Sequence, residues 1–418
     1  MPGEDRRAPT AIALAGGGPL GAIYEIGTLT ALAEALEGVD FNELDYYVGV
    51  SAGGFIAAGL ANGLSPAYMC RMFIDSESAE VPFEPEMLLR PALAEYRERA
   101  TRIPGLVADA VRDYLRNPLQ NDLLASFQRL SRAIPTGVFD NAGVAEFLTR
   151  LFTAKGRSND FRELKHRLYL VATDLDSGTA VAFGAPGHDQ VPIAKAVQAS
   201  AALPGLFPPV EIDGRWYVDG ALKKTMHASV ALKEGAKLVF CINPLVPFDA
   251  EHSARSAHRQ RQRLVDGGLP VVLAQTFRAI IHSRMRVGIA KYDIEYKDAD
   301  VILFEPNRDD ADMFFTNMFS YGDRKRLSEH AYRKTREELL RRHDELAPRL
   351  ARHGIRMRLD VLNDRGRTLS RQMARLKRQR AGVMGRAALD LSQTLDELER
   401  SMARIQRGSG PAVDQARG

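Results

Sequence analysis

Tyr46-Tyr47-Val48-Gly49-Val50-Ser51-Ala52-Gly53-Gly54-Phe55-Ile56-Ala57-Ala58 is the stretch on which the reading of the chain depends. One apolar run ends in Gly49-Val50-Ser51-Ala52-Gly53 and a second opens at Phe55, the pattern of a strand, a sharp turn and a helix with a serine at the tip. Gly49 and Gly53 suit such a turn, because its backbone presses on the neighbouring strand and helix where a Cβ would collide. Ser51 is therefore the first candidate nucleophile. Taken alone, five loosely defined positions fit an ordinary Gly-rich turn equally well, so the flanking sequence has to decide.

Upstream, Ala11-Ile12-Ala13-Leu14-Ala15 reads as a buried strand. Gly16-Gly17-Gly18-Pro19-Leu20-Gly21 then turns into a helix carrying Ile26, Leu29, Leu32 and Leu36 at helical spacing. Two successive βα units of this kind bring a Gly-rich loop and the serine to the same carboxyl edge of a parallel sheet, where α/β folds place their sites. Downstream, residues from about 66 to 135 are proline-punctuated and mostly helical, with Ile103, Leu106, Val107, Ala110, Val111, Tyr114 and Leu115 on one helical stripe. This segment reads as an insertion beside the active-site edge, either a helical layer on the core or a lid. The α/β pattern resumes at Phe139. Strands are expected at Leu168 to Thr173, Thr179 to Phe183, Arg215 to Val218 and Lys237 to Ile242, and helices at Ala194 to Ala202 and from about Asp323 to Leu346. Asp174 and Asp176 are expected to serve the turn between the first two of these strands.

With 418 residues, 45% of them hydrophobic and 26% charged, the chain can bury one large core with appendages. No apolar stretch approaches the length of a membrane span or a secretory leader. Cys70 and Cys241 are too few for a disulfide framework, which points to a reducing, cytoplasmic setting. The net charge of +4 is concentrated after residue 349. There, Arg365, Arg367, Arg371, Arg375, Lys377, Arg378 and Arg380 run without an intervening acid. Met384, Ala388, Leu391, Leu395, Leu398, Met402 and Ile405 then follow at heptad spacing. Three readings stand for this tail: a helix packed on its own domain, a self-associating helix that makes a homo-oligomer, or a peripheral anchor on an anionic membrane. The last ten or so residues read as disordered. The division expected is residues 1–350 as a catalytic domain and 351–418 as a basic helical tail. Nucleic acid is not an expected partner, since the basic run lacks interleaved aromatics.

Gly16 to Gly21 satisfies G-x-G-x-x-G, but the second strand ends in Ser51 rather than in the acid that a dinucleotide fold requires, and no Gly-Lys-Ser/Thr follows for a phosphate loop. Consecutive glycines at a helix N-terminus can instead aim bare N–H groups at an oxyanion. None of the nine histidines has a recognisable catalytic context, with His227 lying closest to a plausible site. Trp216-Tyr217-Val218-Asp219-Gly220-Ala221 is a strand that delivers an acid at its end, which reads equally as a general base or an Asp-Gly turn.

Taken in order, Gly16-Gly17-Gly18-x-x-Gly21, Gly49-x-Ser51-x-Gly53, Ala199-Ser200-Ala201-Ala202-Leu203-Pro204 and Asp219-Gly220-Ala221 resemble the patatin-like phospholipase family. The resemblance covers roughly residues 10 to 305. It implies a three-layer α/β/α fold with a mainly parallel central sheet, to which this chain adds the helical insertion and a C-terminal helical extension. It further implies a metal-free and cofactor-free lipid acyl hydrolase with Ser51 as nucleophile, Asp219 as base, Gly16, Gly17 and Gly18 as the oxyanion loop, and a lipid or phospholipid as substrate. Two positions depart from the family pattern: Leu20 stands where Arg or Lys is usual, and Thr225-Met226-His227 where Asn-x-Pro is frequent. A carboxylesterase for soluble or polymeric esters, and a membrane-associated scaffold with a vestigial site, are the alternatives.

Overall fold

The computed structural model describes residues 8–74, 136–224, 226–246, 264–307 and 321–380, together with 83, 90–93, 97 and 101. The expected amphipathic helix at 103–115, the heptad seam at 384–405 and Thr225 lie outside the described residues. The chain divides into two compact units, residues 1–365 and 366–418.

The first unit opens with β1 (Thr10–Leu14), α1 (Gly18–Ala35), β2 (Leu36–Glu37), β3 (Tyr46–Val50), α2 (Ala52–Ala61) and α3 (Pro66–Ile74). After the insertion come α4 (Ala142–Phe152), β4 (Arg167–Asp174), β5 (Ala180–Phe183), α5 (Ile193–Ser200), β6 (Val210–Ile212) and β7 (Arg215–Asp219). It continues with α6 (Ala228–Lys233), β8 (Leu238–Ile242), α7 (Gly268–Glu295) and β9 (Asp300–Phe304), and closes with α8 (Tyr321–Arg341), α9 (His343–Ala351), β10 (Arg356–Met357) and α10 (Leu359–Asn363). In the second unit the described element is α11 (Leu369–Arg380).

The main sheet runs β6-β7-β4-β3-β1-β8-β9, with β5 also on β4. Its centre is parallel: β4, β3, β1, β8 and β9 pair in that sense, whereas β5 and β7 pair antiparallel with β4, and β6 antiparallel with β7. β1 and β8 are buried at every position, which is why they read as uninterrupted apolar runs rather than as alternating ones.

Successive residues nevertheless face opposite layers. Ala11, Ala13, Val48, Val50, Val171, Val239 and Cys241 share one core with Ala228, Ala231 and Leu232 of α6 and Tyr292 of α7. On the other side α2 covers β1, β3 and β4, and α1 packs on α2 and α8. Gly54 there stands where an added Cβ would lie 3.4 Å from the Leu170 side chain. Two helical layers therefore enclose the sheet, the α/β/α arrangement that the resemblance implied.

The helix expected from Asp323 to Leu346 is two helices, because Arg342 interrupts it. The Arg342 side chain donates to the Leu303 carbonyl at 2.8 Å and pairs with Glu338 and Glu345, tying the joint between α8 and α9 to the end of β9. Residues beyond 350 also contribute to the first unit: β10 pairs antiparallel with β2, and Ile355, Val361 and Leu362 are buried.

Candidate active site

The register along β4 brings the serine and the aspartate together. β3 lies parallel to β4 and its last pair is Val50 with Val171. β5 holds the opposite edge of β4, pairing with Leu170 to Thr173. β7 pairs antiparallel with Ala172, Thr173 and Asp174, so it must occupy the same edge as β3, beginning where β3 stops. Asp219 is the residue opposite Ala172. Two strands thus meet head to head along one edge of β4, and Val50, the residue before Ser51, and Asp219 stand opposite neighbouring residues of β4, about 3.3 Å of strand rise apart.

Ser51 caps α2 with φ 55° and ψ −123°, one of two non-glycine residues at positive φ among the described residues. The tight turn that this conformation makes depends on its glycines. A Cβ on Gly53 would lie 2.5 Å from the Ala15 carbonyl oxygen, and one on Gly49 would lie 2.5 Å from the Gly54 Cα. Both contacts are with backbone, which cannot move aside without breaking the strand–helix packing. Ser51 and Asp219 are both buried, with 8% and 3% of their surface exposed. The Ser51 hydroxyl faces the Asp219 carboxylate as a hydrogen-bond donor. Asp219 Oδ1 also accepts the Ala221 N–H at 2.8 Å. Burial outweighs both donors and pushes the Asp219 pKa up to about 6.

The glycine loop lies across this pair. A Cβ on Gly16 would come within 3.2 Å of the Ser51 Cβ. Gly17 precedes α1 and abuts Pro244, while Gly18 begins the helix at φ 60°. Among the described residues, the N–H groups of Gly16, Gly17 and Gly18 have no backbone acceptor, and neither does that of Ala52 at the start of α2. Four N–H groups at the starts of α1 and α2 thus lack a backbone partner, with Gly16 and Ala52 nearest the serine.

His227 bonds to neither member of the pair. It is 5% exposed, its ring hydrogen-bonds to backbone of Gly220 and Lys224, and its Nε2 has no partner. Burial pulls its pKa down to about 4, leaving a neutral imidazole that supports the turn after Asp219. Among the described residues no group of three or more His, Cys, Asp or Glu is placed to hold a metal ion. Asp174 does serve its turn, accepting the N–H groups of Asp176 and Ser177.

Ser200 and Ala202 stand in the sequence as members of a motif, and the structure gives them a task. The Ser200 hydroxyl accepts the Ser51 N–H at 2.8 Å and donates to the Val171 carbonyl at 2.6 Å. Two residues on, the Ala202 carbonyl accepts the Asp219 N–H at 2.9 Å. One short segment at the end of α5 thus pins the backbone of both site residues. The signal in the sequence was a serine at the end of an apolar helix, where an unpaired hydroxyl would be costly. Replacing Ser200 with alanine leaves a buried N–H and a buried carbonyl without partners. It is expected to cost about 1 to 3 kcal/mol of stability, read by denaturant unfolding, and to lower kcat more than it raises KM.

The family model for patatin-like phospholipases matches residues 12–232, more than half of the chain, and the chain belongs to that family. Its members are typically serine hydrolases. A curated relative, a cGAMP-activated phospholipase of Pseudomonas aeruginosa, is 27% identical over 217 residues. That match takes in 50% of this chain and 52% of the relative, so the chain spans about half the length of the curated relative it matches. Among solved structures, VipD of Legionella pneumophila aligns over 79% of this chain and 66% of its own, with 16% identity and a TM-score of 0.37. The type III effector ExoU aligns over 97% of this chain and 68% of its own, with 15% identity and a TM-score of 0.34. No helix among the described residues is long and apolar enough to cross a membrane.

Proposed function

We propose that the chain hydrolyses fatty acyl esters of phospholipids through an acyl-enzyme on Ser51, with Asp219 as the general base. The observation that carries this reading is the meeting of β3 and β7 on one edge of β4, which sets a strained serine against a buried carboxylate under a loop of free N–H groups. The Ser51 Oγ adds to the ester carbonyl carbon as its proton passes to Asp219. The tetrahedral oxyanion takes hydrogen bonds from the Gly16, Gly17 and Gly18 loop and from Ala52, each such donor contributing about 3 kcal/mol. Collapse expels the lysolipid alcohol, which recovers the proton from Asp219. Water, deprotonated by the same carboxylate, then attacks the acyl-serine and releases the fatty acid.

A carboxylate of ordinary acidity is a weak base for a hydroxyl, so a pKa near 6 brings Asp219 closer to its task without a histidine. An apolar acyl chain also has surroundings to meet. Phe55, one helical turn beyond Ser51 on α2, stacks on Phe147 at 5.9 Å between ring centres. It meets Phe73 at 5.0 Å and Phe83 at 6.3 Å edge to face. Phe73 and Phe147 are buried in this cluster, and the apolar wall it gives the helix after Ser51 suits a lipid chain better than a small polar ester.

The test is release of fatty acid and lysolipid from mixed phosphatidylcholine and phosphatidylglycerol vesicles, run beside cleavage of a short soluble ester. The expected result is release from vesicles, together with covalent labelling of Ser51 by a fluorophosphonate. Labelling of Ser51 and cleavage confined to the soluble ester would assign the carboxylesterase function. Neither labelling nor release would remove the hydrolase reading in favour of a scaffold.

A further inference from the structure

We propose that the outward face of α7 is a docking surface for an anionic phospholipid bilayer. The proposal rests on the lipid-hydrolase reading above and adds to it where the chain meets its substrate. α7 carries two stripes, each alternating steps of three and four residues. The inward one is His282, Met285, Ile289 and Tyr292, continued by Tyr296 just past the helix end; Met285 and Tyr292 are 6% and 4% exposed and Ile289 and Tyr296 pack on the sheet core. The outward one, half a turn away, is Ile280, Ser283, Val287, Ala290 and Ile294. All five are exposed, Val287 and Ile294 to 70% and 71%. A helix face turned to water ordinarily carries charge. This one carries none over about 21 Å of helix.

Cations border the stripe. Arg284 and Lys291 lie one position to its side and are exposed. Lys223 and Lys224, also exposed, stand in the turn that follows Asp219. That turn touches α7 directly. Arg284 Nη1 reaches the Leu222 carbonyl at 3.4 Å, Lys224 Nζ lies 5.9 Å over the Tyr292 ring, and the Tyr292 hydroxyl accepts the Ser229 N–H at 3.3 Å. Partial burial and the charges of Lys233 and Lys291 all act to lower the Lys224 pKa, as expected where cations gather with few acids between them. Glu295 is the described acid there, paired with Lys291 at 3.1 Å.

An apolar ridge flanked by lysine and arginine is what a helix lying in a membrane interface presents. Charge also decides between a bilayer and a second copy of the chain. An antiparallel two-fold contact through this face would set the flank that carries Arg284 and Lys291 against the same flank of the second copy, like charge against like. Anionic headgroups would instead neutralise them. Leu222 and Lys224 lie three and five residues beyond Asp219, so a bilayer seated here borders the turn that the catalytic acid opens.

The experiment is flotation of the full chain carrying Ser51→Ala, so that nothing is hydrolysed, with vesicles of phosphatidylcholine alone or mixed with phosphatidylglycerol. Binding is expected to the mixed vesicles. The pair Val287→Ser with Ile294→Ser is expected to weaken it at least about tenfold. Arg284→Gln and Lys291→Gln should each weaken it about fivefold, and only on the anionic vesicles. With Ser51 restored, the same substitutions should slow vesicle hydrolysis in proportion and leave soluble-ester cleavage unchanged. Undiminished flotation of both sets of variants overturns the proposal. So does a concentration-dependent dimer, seen in sedimentation, that the serine pair abolishes while flotation persists. Vesicle binding that follows these substitutions in a chain with no esterase activity would instead keep the surface and remove the hydrolase reading.

Discussion

Asp219→Asn is expected to lower kcat/KM by about 10⁴-fold and, at pH 8, to make the protein more stable than the native chain. The amide keeps the shape of the carboxylate and can still accept the Ala221 N–H, but it cannot take the Ser51 proton. The gain in stability follows from the direction of the pKa shift. Burial raises the folded-state pKa of Asp219 to about 6 from an ordinary value of 3.8. Between about pH 4 and pH 6 the folded chain therefore binds more protons at this site than the unfolded chain does. Stability is greatest with respect to Asp219 below that window, declines as pH rises through it, and stays lower above it. The difference corresponds to about 3 kcal/mol. Asparagine titrates nowhere in this range, so its advantage should be largest at pH 8 and fade towards pH 4. Thermal unfolding of the two proteins at both pH values measures it.

The same ionisation governs activity with the opposite consequence. The base is the deprotonated form, so kcat/KM of the native chain should rise about tenfold per pH unit below about pH 6 and level off above it. His227→Asn should leave that midpoint in place, because His227 titrates near pH 4 and bonds to backbone rather than to Ser51. A midpoint that moved with His227 would transfer the base role to the histidine.

The amino-acid sequence contains the serine turn, the glycine loop and the acid, because each has a local cause. Gly49 and Gly53 are required by backbone a few ångströms away, and Gly18 by its own positive φ. It also contains β1 and β8, whose apolar runs are buried on both faces. What it does not contain is the meeting of β3 with β7. Ser51 and Asp219 are 168 positions apart, and their approach depends on β4 sharing one edge between a parallel and an antiparallel partner. No local pattern encodes that sharing. Ser200 escaped for a similar reason: its two hydrogen bonds go to residues 149 and 29 positions away. The joint at Arg342 escaped because helical periodicity continues through it, and the side-chain bond that ties it to the end of β9 spans 39 positions.

Ser51→Gly and Ser51→Ala are expected to abolish fatty-acid release alike, each by about 10⁶-fold, yet to differ in stability. Both lack the hydroxyl, so both lose the attacking atom and the donor to Asp219. They differ in what the backbone tolerates. At φ 55° and ψ −123° Ser51 holds a conformation that an L side chain disfavours and glycine adopts freely. Alanine keeps that strain and glycine releases it, by about 1 to 3 kcal/mol, less about 0.5 to 1 kcal/mol for the greater freedom of glycine in the unfolded chain. Ser51→Gly should therefore melt above Ser51→Ala at every pH, because the difference involves no ionisation. A lower melting temperature for the glycine variant would mean that the turn stores no strain at Ser51. The expected order would mean that both members of the pair are held against their own preference, Ser51 by its backbone and Asp219 by its burial. Nucleophile and base would then each be kept reactive at the expense of the fold that positions them.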